Sequence, residues 1–228
     1  MGYLSDFVAL FYPNYCFECR CPLVAGEDYL CSECLAKLPK THFHLQKDNP
    51  IEMLFAGKVP VFRATAFCFF HKEGIMQRLV HQLKYKGKEG IGTYLGYLFG
   101  LSLLESTDFQ SIDIIVPIPL HPQKKRKRGY NQSEIICDGI ANGLKKECDY
   151  SSLVRIVDTK TQTKKSRYNR WENVSEIFKV LYPEKLEGKH ILLVDDVVTT
   201  GATLEAAAQI LLEIPNTTIS IACLAYAN

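Results

Sequence analysis

The stretch that most limits what this chain can become is His190-Ile-Leu-Leu-Val-Asp-Asp-Val-Val-Thr-Thr-Gly-Ala-Thr203. The apolar run Ile191 to Val194 predicts a buried strand that ends in two adjacent carboxylates, Asp195 and Asp196. Thr199, Thr200, Gly201, Ala202 and Thr203 follow, and Leu204 to Leu212 reads as a helix. A loop entering a helix favours an anion, because the first backbone N–H groups lack partners and the helix dipole adds partial positive charge. Gly201 lets the backbone approach a phosphate, and the Thr hydroxyls add donors. The carboxylates would repel that phosphate but can accept from sugar hydroxyls. The pattern therefore suits a sugar phosphate.

From Leu192 to Thr203 the segment resembles the 5-phosphoribosyl-1-pyrophosphate (PRPP) motif of type I phosphoribosyltransferases: apolar strand, two acids, two variable residues, Thr-Thr-Gly-x-Thr. The resemblance implies that Asp195 and Asp196 hold the ribose 2′- and 3′-hydroxyls. It assigns Thr199, Thr200, Gly201, Ala202 and Thr203 to the 5′-phosphate.

The 228-residue length suits one large domain with a small one attached. A net charge of +2 gives no global case for nucleic acid, so any such role must come from local clusters. No apolar run is long enough to span a bilayer. The first residues lack a basic region and cleavage site, so the chain reads as cytoplasmic.

Five of the nine Cys lie between Cys16 and Cys34. Cys16-Phe-Glu-Cys19 and Cys31-Ser-Glu-Cys34 are two C-x2-C knuckles separated by eleven residues, a spacing that suits one tetrahedral zinc. Four Cys leave no open position, so the expected role of the metal is structural. Cys21 is a spare thiol that can in principle replace Cys19, and the x2 spacing favours Cys19. The expected organisation is a zinc-binding module over residues 1–40, a connection over 41–60, and an α/β domain with a parallel sheet flanked by helices over 61–228. His42 and His44, in the connection, are expected to be loop histidines.

Val61 to Phe70 is β-branched and aromatic and predicts a strand. Ile75, Met76, Leu79, Val80 and Leu83 have helical spacing, and the helix ends at Lys84-Tyr-Lys-Gly-Lys88. Those lysines suit either dipole compensation or ligand contact. Gly92, Gly96 and Gly100 predict a helix with a small-residue face pressed on a neighbour. Ile112 to Leu120 reads as a buried strand running into a loop, His121 to Gly129, that carries five consecutive cations: Lys124, Lys125, Arg126, Lys127 and Arg128. A helix follows, with Ile135, Ile136, Ile140 and Leu144 on one face.

Strand, loop and helix thus occur twice, and in an open α/β sheet such loops meet at the carboxyl edge, where ligands bind. Leu153 to Val157 is a further expected strand. The polar run Asp158 to Asn173 after it has the character of a binding loop. Its Arg167 and Arg170 suit a pyrophosphate clamp; equally, Lys164, Lys165, Tyr168 and Trp171 suit a nucleic-acid strand. Ile219 to Ala225 is a final β-like run.

Four features in order carry a fuller resemblance. They are the four-Cys knuckle, Val116-Pro-Ile-Pro-Leu-His-Pro122 with Arg128-Gly-Tyr-Asn-Gln132, Gln162-Thr-Lys-Lys-Ser-Arg167 with Asn173-Val, and the Asp195 motif. Together they resemble the ComF family of competence-associated phosphoribosyltransferase-like proteins, from Tyr12 to Ala225. The resemblance implies PRPP binding with Mg²⁺, and Leu120 and His121 at the pyrophosphate. It further implies a bacterial role in DNA uptake and natural transformation beside a helicase-like ATPase. Phosphoribosyl transfer to an unidentified acceptor is one expected function. The alternative is a non-enzymatic single-stranded DNA binder that uses the fold as scaffold and the two basic segments as its rim.

Overall fold

The structure is a computed structural model and describes residues 14–156 and 177–227. Its centre is a five-stranded parallel sheet in the order β1-β7-β6-β2-β3. The strands are β1 (Arg63–Phe69), β2 (Ile114–Pro117), β3 (Glu147–Cys148), β6 (His190–Val198) and β7 (Thr218–Tyr226). Both faces are covered, so the strands read as near-continuous apolar runs rather than alternating ones. β2 and β6 are neighbours, with Ile114 opposite Ile191 and Pro117 opposite Val194. The segments following them therefore emerge side by side.

β6 does not stop at the acids. It continues through Asp195 and Asp196 to Val198, because β7 goes on pairing with it up to Val198 opposite Tyr226. The expected strand at Leu153 also differs. β4 (Leu153–Arg155) lies outside the main sheet and pairs antiparallel with β5 (Phe178–Val180).

Helix α1 is Ser32–Ala36, α2 is Pro50–Phe55, α3 is Ile75–Tyr85 and α4 is Glu89–Leu103. They are followed by α5 (Thr107–Gln110), α6 (Pro122–Arg128), α7 (Gln132–Leu144) and α8 (Ala202–Leu211). One core packs α3, α4 and α7 onto Leu192, Val194, Ala222 and Leu224. A second packs α2 and α8 onto Ile191, Leu193, Ile221 and Cys223.

The small-residue face of α4 meets a matching face on α7. A Cβ at Gly96 would run into the Ile136 carbonyl, and one at Gly139 into the Thr93 carbonyl. The two backbones touch because nothing intervenes.

Residues 41–60 are more than a connection. Asn49 caps α2, its Oδ1 accepting from Ile51 N at 2.9 Å while its Nδ2 donates to Ala64 O at 2.9 Å. Pro50 suits the first helical position, and Ile51 and Phe55 are buried. His44 is buried here, 3.5 Å from Glu105 Oε2.

Candidate functional site

The carboxyl ends of β6 and β2 bring three groups of side chains together. The first is the acid pair. Asp195 is half-buried, and its Oδ1 accepts from Ser133 Oγ at 3.0 Å and from the Asp196 N–H at 2.8 Å. Burial, then the neighbouring charge of Asp196, pushes its carboxyl up to about 7, against the opposing hydrogen bonds and Lys84. Asp196 is buried, and Lys84 Nζ at the end of α3 lies 2.8 Å from its Oδ2. Among the described residues that oxygen has no aligned hydrogen bond, so the contact is an ion pair of imperfect geometry.

The second group is the loop from β6 to α8. Gly201 caps α8 with φ +77, a left-handed conformation that suits glycine. Its missing side chain matters twice, because a Cβ there would also meet the Phe55 ring at 3.0 Å. Helix α2 is therefore the floor of the loop. Asp195 and the residues from Val197 to Leu204 line a concavity of about 60 Å³. Thr199, Thr200 and Ala202 are exposed at its mouth, and Thr203 is half-buried.

The third group is basic. Residues 122–128 form helix α6 rather than a loop. Pro122 starts it, the His121 ring accepts from Gln123 N at 3.3 Å, and Gly129 stops it at φ +94. These end signals hold seven residues in register despite their repulsive charges. Lys125 pairs with Glu134 at 2.8 Å. The Arg128 guanidinium lies 5.6 Å from the Tyr85 ring centre and donates to Gln132 Oε1. Lys84, Lys124, Lys127, Arg128, Tyr85 and Tyr130 are among the residues lining a cavity of about 550 Å³, with Leu120 at its wall. Among the described residues, no carboxylate lines it.

Ser133 also belongs to this site, with Asn131, which the sequence marks only within Arg128-Gly-Tyr-Asn-Gln132, and Lys84, one of three lysines suited to either dipole compensation or ligand contact. Asn131 Nδ2 donates to Ile118 O at 3.0 Å, and its Oδ1 caps α7 at Ser133 N. The available signal was Asn131-Gln-Ser133 ahead of a helical period, an N-cap pattern. Lys84 left only an ambiguous cluster of lysines. Lys164, Lys165, Arg167 and Arg170 lie outside the described residues.

At the other end of the chain, the sulfurs of Cys16, Cys19, Cys31 and Cys34 lie within 4.8 Å of one another. Four sulfurs around a zinc at about 2.3 Å each would stand roughly 3.8 Å apart, so this cluster can hold the ion. Cys19 and Cys31 are already 3.6 Å apart, whereas Cys21 is exposed and outside the cluster. Burial opposes charge on Cys16, but N–H groups of Cys19, Cys31 and Glu18 overcome it and bring the thiol down to about 7. The Cys31 N–H to Cys16 Sγ distance is 3.4 Å. The knuckle is docked on α3: Arg78 Nε lies 2.9 Å from both Glu18 oxygens, and Gln82 Nε2 donates to Phe17 O at 3.0 Å.

Among the described residues, no helix is long and apolar enough to cross a membrane.

Residues 132–228 match the phosphoribosyl transferase domain family. The DNA utilization protein YhgH of Escherichia coli O157:H7 is 31% identical over 227 residues, spanning 93% of this chain and 96% of that protein. Competence protein ComFC of Bacillus subtilis (strain 168) is 35% identical over 100 residues, 44% of this chain and 38% of that protein. Competence protein F of Haemophilus influenzae is 26% identical over 137 residues, 58% of this chain and 60% of that protein. The parallel sheet with its flanking helices and the matched domain define a phosphoribosyltransferase-type protein. Within that class, the chain belongs to the ComF family of competence-associated proteins.

Proposed function

We propose that the protein binds PRPP, with Mg²⁺, at the carboxyl edge of the sheet and transfers its phosphoribosyl group to an acceptor. The observation that carries this reading is the acid pair at the end of β6, directly followed by the Gly201-capped anion loop. Asp195 and Asp196 take the ribose 2′- and 3′-hydroxyls, and Thr199 to Thr203 take the 5′-phosphate. Leu120 and His121 face the pyrophosphate, beside the cations of the basic cavity.

Mg²⁺ suits the oxygen ligands of a diphosphate and would reduce the charge of the departing pyrophosphate. The acid pair already has Lys84 as a cation, so the ion is expected to be held chiefly by the diphosphate. The chain's own residues position the sugar and stabilise charge. As pyrophosphate leaves, oxocarbenium-like positive charge develops at C1, and the carboxylates close to the ribose favour it. The same chemistry needs no dedicated general base.

The four-Cys cluster is proposed to hold a structural zinc. The relatives' names, DNA utilization and competence, support a role in DNA uptake and natural transformation, with a helicase-like ATPase as proposed partner. A second reading is favoured by helix α6, which presents cations from Lys124 to Arg128 on one short element. In that reading the fold is a scaffold for single-stranded DNA, bound through its phosphates.

The test is calorimetric titration of Mg·PRPP into wild type, Asp195→Asn and Asp196→Asn. Weakening of roughly tenfold or more in each variant is expected from the loss of charged acceptors. Unchanged affinity in both removes the site assignment. Pyrophosphate release screened against nucleobases, amines and DNA then identifies the acceptor.

A further inference from the structure

Lys84 touches two functional regions at once. Its ammonium is 2.8 Å from Asp196 Oδ2, and its side chain lines the basic cavity with Lys124, Lys127 and Arg128. The pair is largely buried, with side-chain exposures of 22% and 7%. The backbone that carries Lys84 is fixed. Met76, Leu79, Val80 and Leu83 are buried in the core, and the Tyr130 hydroxyl donates to Leu83 O. The base of the Lys84 side chain is therefore held on the boundary between a carboxylate and a cavity that no carboxylate lines among the described residues, and its four rotatable bonds let the ammonium reach either.

Two facts distinguish this pair from a packing strut. Asp196 Oδ2 has no aligned hydrogen bond among the described residues, so the contact is not the geometry that makes a buried ion pair hard to replace. The same lysine also borders a space of about 550 Å³, large enough for a diphosphate with its hydration. A diphosphate entering that space competes with Asp196 for Lys84. As the ammonium turns toward it, Asp196 becomes free to accept from a sugar hydroxyl. The converse holds by linkage: a hydroxyl donating to Asp196 releases Lys84 to the diphosphate.

We infer that Lys84 is a counter-ion shared between the acid pair and the basic cavity, so that a diphosphate and a ribose strengthen one another's binding. This rests on the sugar-phosphate reading above and adds a specificity to it. The site selects a ribose phosphate that also carries a diphosphate over either half alone. Lys84 is a positioning residue for the ribose half, acting through Asp196, and a direct contact for the diphosphate half.

The experiment is titration of the full-length protein with Mg·pyrophosphate, with ribose 5-phosphate, and with each in the presence of saturating amounts of the other. In wild type, each ligand should tighten the other by about tenfold, the size of one charge-assisted hydrogen bond. In Lys84→Met and Lys84→Gln the mutual tightening should fall to less than about twofold, with pyrophosphate itself about tenfold weaker. Lys84→Arg should restore a part of both. Thermal unfolding and circular dichroism identify variants that have lost the fold, and the Gln variant keeps a donor for Asp196 should Met not fold. Mutual tightening that persists in folded Lys84→Met or Lys84→Gln overturns the assignment. So does pyrophosphate affinity equal to wild type. If wild type binds pyrophosphate but not ribose 5-phosphate under either condition, the sugar-phosphate reading itself fails and the coupling falls with it.

Discussion

Ser133 Oγ donates to Asp195 Oδ1 across 3.0 Å, joining the first turn of α7 to the end of β6. This bond and the Asp196 N–H hold a carboxyl whose affinity for protons is nevertheless raised to about 7. Burial and the Asp196 charge outweigh the two donors. The folded state thus binds a proton more tightly than the unfolded chain, where the group has its ordinary value of 3.8.

The sign of the consequence follows from linkage. The Asp195 charge opposes folding above about pH 7, and that penalty is relieved as pH falls from about 7 towards 3.8. Asp195→Asn should therefore raise the melting temperature at pH 8 and give little gain at pH 4. Melting curves of both proteins across that range check it. A uniform offset at all pH values would contradict the assignment.

The contact of α4 with α7 should be intolerant of a single methyl. Gly139→Ala places a Cβ against the Thr93 carbonyl and the Gly96 backbone, and should cost about 1–3 kcal/mol by overpacking. Gly92→Ala meets a Leu83 methyl at 2.8 Å, and that side chain can shift, so its cost should be smaller. Urea midpoints of the two variants give the order.

Arg63 is buried between Glu52 and Asp108, with Nε 2.6 Å from Glu52 Oε1. It also donates to Gln46 O at 2.7 Å and so ties residues 46–52 to β1. Arg63→Met strands the acids and should destabilise the fold by about 3–5 kcal/mol. Chemical denaturation measures this directly.

Cys34→Ser should lower the zinc content of the purified protein below one equivalent and reduce its thermal stability. Cys21→Ser should do neither, because Cys21 lies outside the cluster. Less than one equivalent of zinc in the purified wild type, or normal folding and stability of Cys34→Ser, would remove the structural zinc from this chain.

Neutralising Lys124 to Arg128 should weaken single-stranded DNA binding and flatten its dependence on salt. Each lost phosphate contact reduces the log–log slope by about 0.7. Fluorescence anisotropy over a salt series reads both quantities. An unaltered slope would leave α6 as a solvated helix.

The sequence by itself determined the elements whose signals are local. Ile191 to Val194, ending in two acids, predicted a buried strand, and Thr199 to Thr203 with Gly201 before Leu204 predicted the opening of a helix. The C-x2-C spacing favoured Cys16, Cys19, Cys31 and Cys34, since two residues between Cys already form a turn, and the tertiary structure left Cys21 outside the cluster. The period of Ile75 to Leu83 gave α3 its buried face. What the tertiary structure alone decided depends on partners distant in sequence. Helix α6 was hidden because five consecutive cations carry no apolar period and read as a binding loop, although Pro122 and Gly129 mark its ends. Helix α2 was hidden because six residues carry too little periodicity, and its purpose appears only when Phe55 lies under Gly201. β6 runs past the acids because β7 is there to pair with them. Lys84 reaches Asp196 only because α3 packs beside β6, and no spacing in a sequence encodes the meeting of one ammonium with one buried carboxylate.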